Sequence, residues 1–143
     1  MLFRSEELGL AYRRSALRPG EIVAQIEFRL RPRPVDEIRR VVAELQAQRK
    51  AAQPTNKRTF GSVFENPPGD LGAGALLERC GLKGHRIGGA QISPKHANFI
   101  ENAGGATSEH CVALIVEARR RAREQFGVEL EREVVVLGGL ELP

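Results

Sequence analysis

From Glu21 to Leu30 the chain alternates: Ile22, Ala24, Ile26, Phe28 and Leu30 fall on one parity, Glu21, Gln25, Glu27 and Arg29 on the other. This two-residue period predicts a half-buried strand over 21–30, entered through the turn Arg18-Pro19-Gly20 and stopped by Pro32 and Pro34. The period then changes. Val35, Ile38, Val42 and Leu45 recur at helical spacing, which predicts a helix through about Arg49 with Pro34 near its first position. Gln53-Pro54 ends it. Far downstream, Cys111, Leu114, Ile115, Ala118, Ala122 and Phe126 form the apolar face of a second long helix. Thr107 or Ser108 can cap that helix, Glu109 lies in its first turn, and Arg119, Arg120, Arg121 and Arg123 crowd its later turns, where cations suit the dipole. Gly127 closes it. Val128, Leu130, Val134 and Val136 then predict a final strand over 128–137.

Between Pro54 and Gly105 the chain is rich in loops. Phe60-Gly61-Ser62-Val63-Phe64-Glu65-Asn66-Pro67-Pro68-Gly69-Asp70 sets a hydroxyl after a glycine, between two aromatic rings, and ahead of a rigid turn. Glycine permits a backbone conformation or close approach closed to other residues, and two prolines remove two amide donors. A short helix is expected around Gly72–Arg79. Gln91-Ile92-Ser93 and the segment through Asn102 read as two short extended pieces bent at Pro94. Strand, helix, loop-rich insert, helix and strand together predict an α+β domain with a small, mainly antiparallel sheet packed with helices.

Composition narrows the function classes. The chain has 143 residues, one domain's worth, with 41% apolar and 28% charged residues, an ordinary globular balance. No apolar run approaches the ~18 residues that span a bilayer, and no signal-peptide pattern opens the chain, so the expectation is a cytoplasmic protein without a membrane partner. Cys80 and Cys111 are isolated and read as small hydrophobes in a reducing compartment. His85, His96 and His110 lack metal-ligand spacing, so no metal is expected. A net charge of +4 permits a polyanionic partner without requiring one. Gly81-Leu82-Lys83-Gly84 fits the GxxG of a KH RNA-binding loop, but Gly88-Gly89 and Pro94 oppose the helix that must follow it, and nucleic acid is not the expected partner. Ser62 has no His or Asp at nucleophile-elbow spacing.

Several of these segments carry a resemblance. Gly61-Ser62-Val63-Phe64-Glu65-Asn66-Pro67, Ala73-Gly74-Ala75-Leu76-Leu77-Glu78, Gly81-Leu82-Lys83-Gly84 with Ile87-Gly88-Gly89-Ala90, and Ser93-Pro94-Lys95-His96-Ala97-Asn98-Phe99-Ile100-Glu101-Asn102 fall in the order found in one family. Leu130-Glu131-Arg132-Glu133-Val134 and Tyr12-Arg13-Arg14-Ser15 extend the match. The chain resembles the C-terminal half of UDP-N-acetylenolpyruvoylglucosamine reductases, the flavoenzymes of peptidoglycan precursor synthesis. The resemblance implies that NADPH reduces FAD and that the flavin passes hydride to C3 of an enolpyruvyl ether while a proton reaches C2. It implies catalytic roles for Ser62 as proton donor and for Arg13 and Glu133 at the developing enol, with Asn66 and Tyr12 binding substrate.

Two departures qualify the match. The family's glycine-rich FAD loops are missing, so residues 1–20 are expected to be a remnant of the flavin-binding half and linker, residues 21–143 the substrate-binding domain, and the missing half a partner. FAD is then not expected to bind this chain tightly. Glu65 stands where many relatives carry a basic residue. The competing expectation is a UDP-sugar-binding fragment without redox activity. Without the resemblance, Ser62 also reads as a turn hydroxyl, Arg13 as a surface cation and Glu133 as an outward strand carboxylate. If the catalytic reading holds, Ser62 and Glu133 must share a cleft wall with Asn66 nearby, and Val134 and Val136 must face away from it.

Overall fold

Four strands, β1 (Thr59–Ser62), β2 (Arg86–Ile87), β3 (Ala90–Ile92) and β4 (Phe99–Asn102), pair antiparallel in the order β1-β4-β3-β2 in the computed structural model, which describes residues 3–139. Three α-helices accompany them among the described residues: α1 (Val35–Ala52), α2 (Ala73–Arg79) and α3 (Ser108–Phe126). The α+β class and the antiparallel sheet follow the sequence expectation. Residues 1–2 and 140–143, the outer ends of the two expected regions, lie outside the described residues.

The core lies where α3 meets the sheet. Leu114, Ile115, Ala118 and Ala122 are buried along one face of α3, with Ile92 and Ile100 from the sheet, Leu76 and Leu77 from α2, and Val63, Phe64, Leu82 and Leu130 from connecting segments. Residues at i, i+4 and i+8 share a helix face, which is why the spacing was readable. Both ends of α3 are closed locally. The Thr107 hydroxyl accepts from the His110 amide at 3.3 Å, and His110 Nδ1 accepts from the Thr107 amide at 3.2 Å, a reciprocal cap with histidine in the usual Glu/Gln role. Gly127, with φ of 66°, ends it in the left-handed conformation.

A two-residue turn at Gly88-Gly89 joins β2 to β3 and sits directly on this helix end. The Gly89 amide donates to His110 Nδ1 at 3.4 Å. A Cβ on Gly89 would land on the backbone of Gly104, Gly105 and Ala106. Close approach of two backbones, not turn geometry, requires glycine there. Gly81-Leu82-Lys83-Gly84 runs into β2 and not into a helix.

Two expected strands are absent. Residues 21–30 form no strand, and Ile22, Phe28 and Leu30 are 89%, 73% and 81% exposed. The alternation encodes burial against a neighbour, but a strand exists only where another chain segment accepts its ladder, and no described segment does. Likewise, 128–137 forms a single antiparallel bridge, Phe64 to Arg132, in place of a strand. Its potential partner ends quickly, because Pro67 and Pro68 cannot donate to a ladder.

The helix α1 ends three residues later than expected and has no buried residue. By contact the chain divides into two units, Met1–Pro34 and Val35–Pro143. In the first, Ala11 and Arg14 exchange both backbone hydrogen bonds, at 3.0 and 3.1 Å, around a tight turn. No helix among the described residues is long and apolar enough to cross a membrane.

Candidate functional site

Ser62 ends β1 just after an irregularity in the ladder. Thr59 pairs with Glu101 but Ser62 pairs with Phe99, so one residue is gained between them. Gly61 carries the bulge at φ of 91°, and its amide donates to Thr59 Oγ1 at 3.2 Å. A bulge re-aims the side chain that follows it, and a non-glycine residue resists that φ. The glycine before Ser62 therefore has a torsional reason to be there; the space around it is open.

Past the bulge, Val63–Glu65 lies between two partners. On one side the Glu133 amide donates to the Val63 carbonyl at 2.9 Å, and the Glu65 amide to the Glu131 carbonyl at 2.9 Å. On the other, Asn98 Oδ1 accepts from the Phe64 amide at 2.9 Å and Asn98 Nδ2 donates to the Phe64 carbonyl at 2.8 Å. The last segment is thereby laid beside Ser62. Ser62 and Glu133 line one cavity of about 690 Å³. Phe60 and Gly61 continue its wall from β1, Ser108, Cys111, Val112 and Ile115 from α3, and Val134 to Leu137 from the chain's last part. Among the described residues, the lining has one carboxylate and no Lys, Arg or His.

Residues 53–137 match the family model for the UDP-N-acetylenolpyruvoylglucosamine reductase C-terminal domain. The chain belongs to that family. It is 52% identical over 131 residues to the UDP-N-acetylenolpyruvoylglucosamine reductase of Anaeromyxobacter dehalogenans strain 2CP-C, covering 92% of this chain and 40% of the relative. It is 46% identical over 137 residues to the reductase of Heliobacterium modesticaldum, covering 95% of this chain and 44% of that one. The crystal structure of UDP-N-acetylenolpyruvylglucosamine reductase (MurB) from Thermus caldophilus superposes with a TM-score of 0.73 at 44% identity, over 90% of this chain and 46% of that one. The chain thus spans less than half the length of the relatives it matches.

Within this reductase C-terminal domain, the expected site residues are placed unevenly. Ser62 and Glu133 share the cavity, but Val134 and Val136 line it too, so the expected alternation does not hold. Five consecutive lining residues fit an irregular segment, not a pleated one. Of the two aromatics expected around Ser62, Phe60 lines the cavity and Phe64 is buried in the core. Asn66 is not among the lining residues; its Oδ1 accepts from the Ala73 amide at 3.0 Å and so closes the N-terminus of α2, whose own N-cap position is Gly72. Tyr12 and Arg13 belong to the first unit, at the centre of its tight turn. Arg13 has φ of 55°, and its guanidinium lies 5.5 Å from the Tyr12 ring centroid.

Sequence reading missed two contributors. Cys111, expected on the apolar face of α3, packs half-buried against the core and also lines the cavity; burial pushes its thiol pKa up, so it stays protonated at neutral pH. Its spacing of four from Ile115 was the available signal. Asn98 had no signal, because its partner Phe64 lies 34 residues away.

His96 sits beside this apparatus. Its Nδ1 accepts from the Asn98 amide at 3.2 Å, and its ring meets Phe99 edge-on at 5.0 Å. Burial, then the Lys83 charge, lowers its pKa. A histidine held neutral in the fold while the unfolded chain protonates near the ordinary value of 6.5 stabilises fully above that value. Its contribution falls as pH drops below 6.5. Chemical denaturation at pH 7.5 and 5.5 should show this loss, and His96→Gln should reduce the difference between the two pH values.

Proposed function

We propose that this chain is the substrate-side part of a UDP-N-acetylenolpyruvoylglucosamine reductase, an oxidoreductase of peptidoglycan synthesis in the bacterial cytoplasm. What supports the reading is one cavity lined by both Ser62 and Glu133 inside the stretch that matches the family. The hydride to C3 of the enolpyruvyl ether would come from FAD reduced by NADPH, bound elsewhere in the enzyme. The lining does not fit FAD itself, because a dinucleotide diphosphate calls for cations or converging amides and meets a carboxylate here. We therefore assign the flavin to a part of the enzyme other than these residues.

What the chain's own residues do follows from their chemistry. Ser62 gives its hydroxyl proton to C2 and is reprotonated from solvent afterwards. A serine is a weak acid, so it can serve only a strongly basic carbon kept from water. Val112, Ile115 and Val134 line the same cavity and give it the apolar wall this requires. Glu133 would stabilise the enol that develops on the substrate's carboxylate side by sharing its carboxyl proton with the enol oxygen. Arg13 would grip that carboxylate in a two-pronged ion pair. The roles of Arg13, Tyr12 and Asn66 rest on the motif match alone.

An NMR titration of the ¹⁵N-labelled chain with UDP-N-acetylglucosamine enolpyruvate tests the assignment. Amide shifts should move at Ser62 and Glu133 and saturate together. If both stay still while distant amides move, the cavity is not the substrate site.

A further inference from the structure

We propose that Asn98 is a positioning residue for Ser62 and Glu133. This rests on the reading of those two residues as the reacting pair. Asn98 is only 5% exposed and lies just before β4. Its backbone carbonyl accepts from the Val63 amide at 2.9 Å, and its carboxamide then holds both backbone groups of Phe64. In an antiparallel pair, the groups of every second residue point away from the partner. Phe64 bridges Arg132, and its own amide and carbonyl turn the other way, toward Asn98. The Asn98 side chain thus continues the β4 edge by one rung after the β4 backbone has turned away.

The consequence reaches both reacting residues. Ser62 is fixed between the bulge at Gly61 and the rung at Phe64. The Glu133 backbone is held by the hydrogen bond that its amide donates to the carbonyl of Val63, the residue between Ser62 and Phe64. Removing the rung leaves two polar groups of a buried residue unpaired, and the strain of re-solvating them is relieved by lifting Val63–Glu65 away from its place. Neither Ser62 nor Glu133 then keeps its position relative to the other.

Aspartate and alanine at this position separate positioning from general stability. Neutral Asp has one acceptor oxygen and one O–H donor, like the carboxamide, whereas the carboxylate has no donor and opposes the Phe64 carbonyl. Hydrogen exchange of the whole chain should show the Glu133 and Phe64 amides losing protection in Asn98→Ala by about ten- to a hundred-fold more than amides of α3. In Asn98→Asp the same loss should appear at high pH and reverse as pH falls, after correction for intrinsic exchange. Leu114→Ala, a core change elsewhere, should lower all protected amides together. His96 is the titrating group in contact with Asn98, so His96→Gln with Asn98→Asp serves as the control for its own protonation. Uniform loss in Asn98→Ala, or no acid recovery in Asn98→Asp, overturns the proposal. These readouts do not depend on turnover: if the clamp behaves as described but substrate moves neither Ser62 nor Glu133, the functional reading fails and the clamp stands.

Discussion

When this chain is joined to the flavin-binding part of a relative, Ser62→Ala should leave flavin reduction by NADPH unchanged and slow reoxidation by the enolpyruvyl substrate about 10²–10⁴-fold, the usual contribution of a positioned proton donor. Only the second half-reaction needs a proton at C2. Alanine also keeps the backbone bonds of β1, so the strand and its bulge survive the change. The two half-reactions can be followed separately by flavin absorbance in rapid mixing. Equal slowing of both would mean that Ser62 shapes the loop and does not donate the proton.

The largest stability effect is expected at Gly89→Ala, about 3 kcal/mol, the upper end of ordinary overpacking. Its new methyl would meet backbone atoms of Gly104, Gly105 and Ala106, which cannot rotate aside. To relieve the clash the β2–β3 turn must lift off the start of α3 and give up the Gly89 to His110 bond. Gly81→Ala is the comparison: it enters open space and bears only the cost of a left-handed φ of 69°, about 1–2 kcal/mol. Denaturation midpoints with a common slope should rank Gly89→Ala well below Gly81→Ala. Equal losses would show that torsion and not backbone contact requires Gly89.

What was legible in the sequence was local. The limits of α3 follow from Thr107 and Gly127 because a cap and a left-handed stop act within a few residues. The core face followed from Leu114, Ile115, Ala118 and Ala122 for the same reason. The alternation at Ile22, Ala24, Ile26, Phe28 and Leu30 was read correctly as a pattern but misread as a strand, since its realisation depends on a partner segment that the pattern does not encode. At the site, the need for glycine before Ser62 was legible, whereas the bulge that explains it was not. A bulge is a mismatch between two strands about 40 residues apart, Thr59–Ser62 against Phe99–Glu101. The Asn98 rung and the nearness of Glu133 to Ser62 are likewise long-range and left no spacing to read. At Val134 and Val136 a period-2 pattern does not become a pleat, because among the described residues a single bridge, at Arg132, pairs the segment.

Product formation reads this chemistry most directly. With the chain joined to a relative's flavin-binding part, and with NADPH and UDP-N-acetylglucosamine enolpyruvate supplied in D₂O, NMR should detect UDP-N-acetylmuramate with a solvent deuteron at C2. Flavin that is reduced by NADPH yet never yields this product, with the chain folded and bound to substrate, would mean that Ser62 and Glu133 do not serve this reaction.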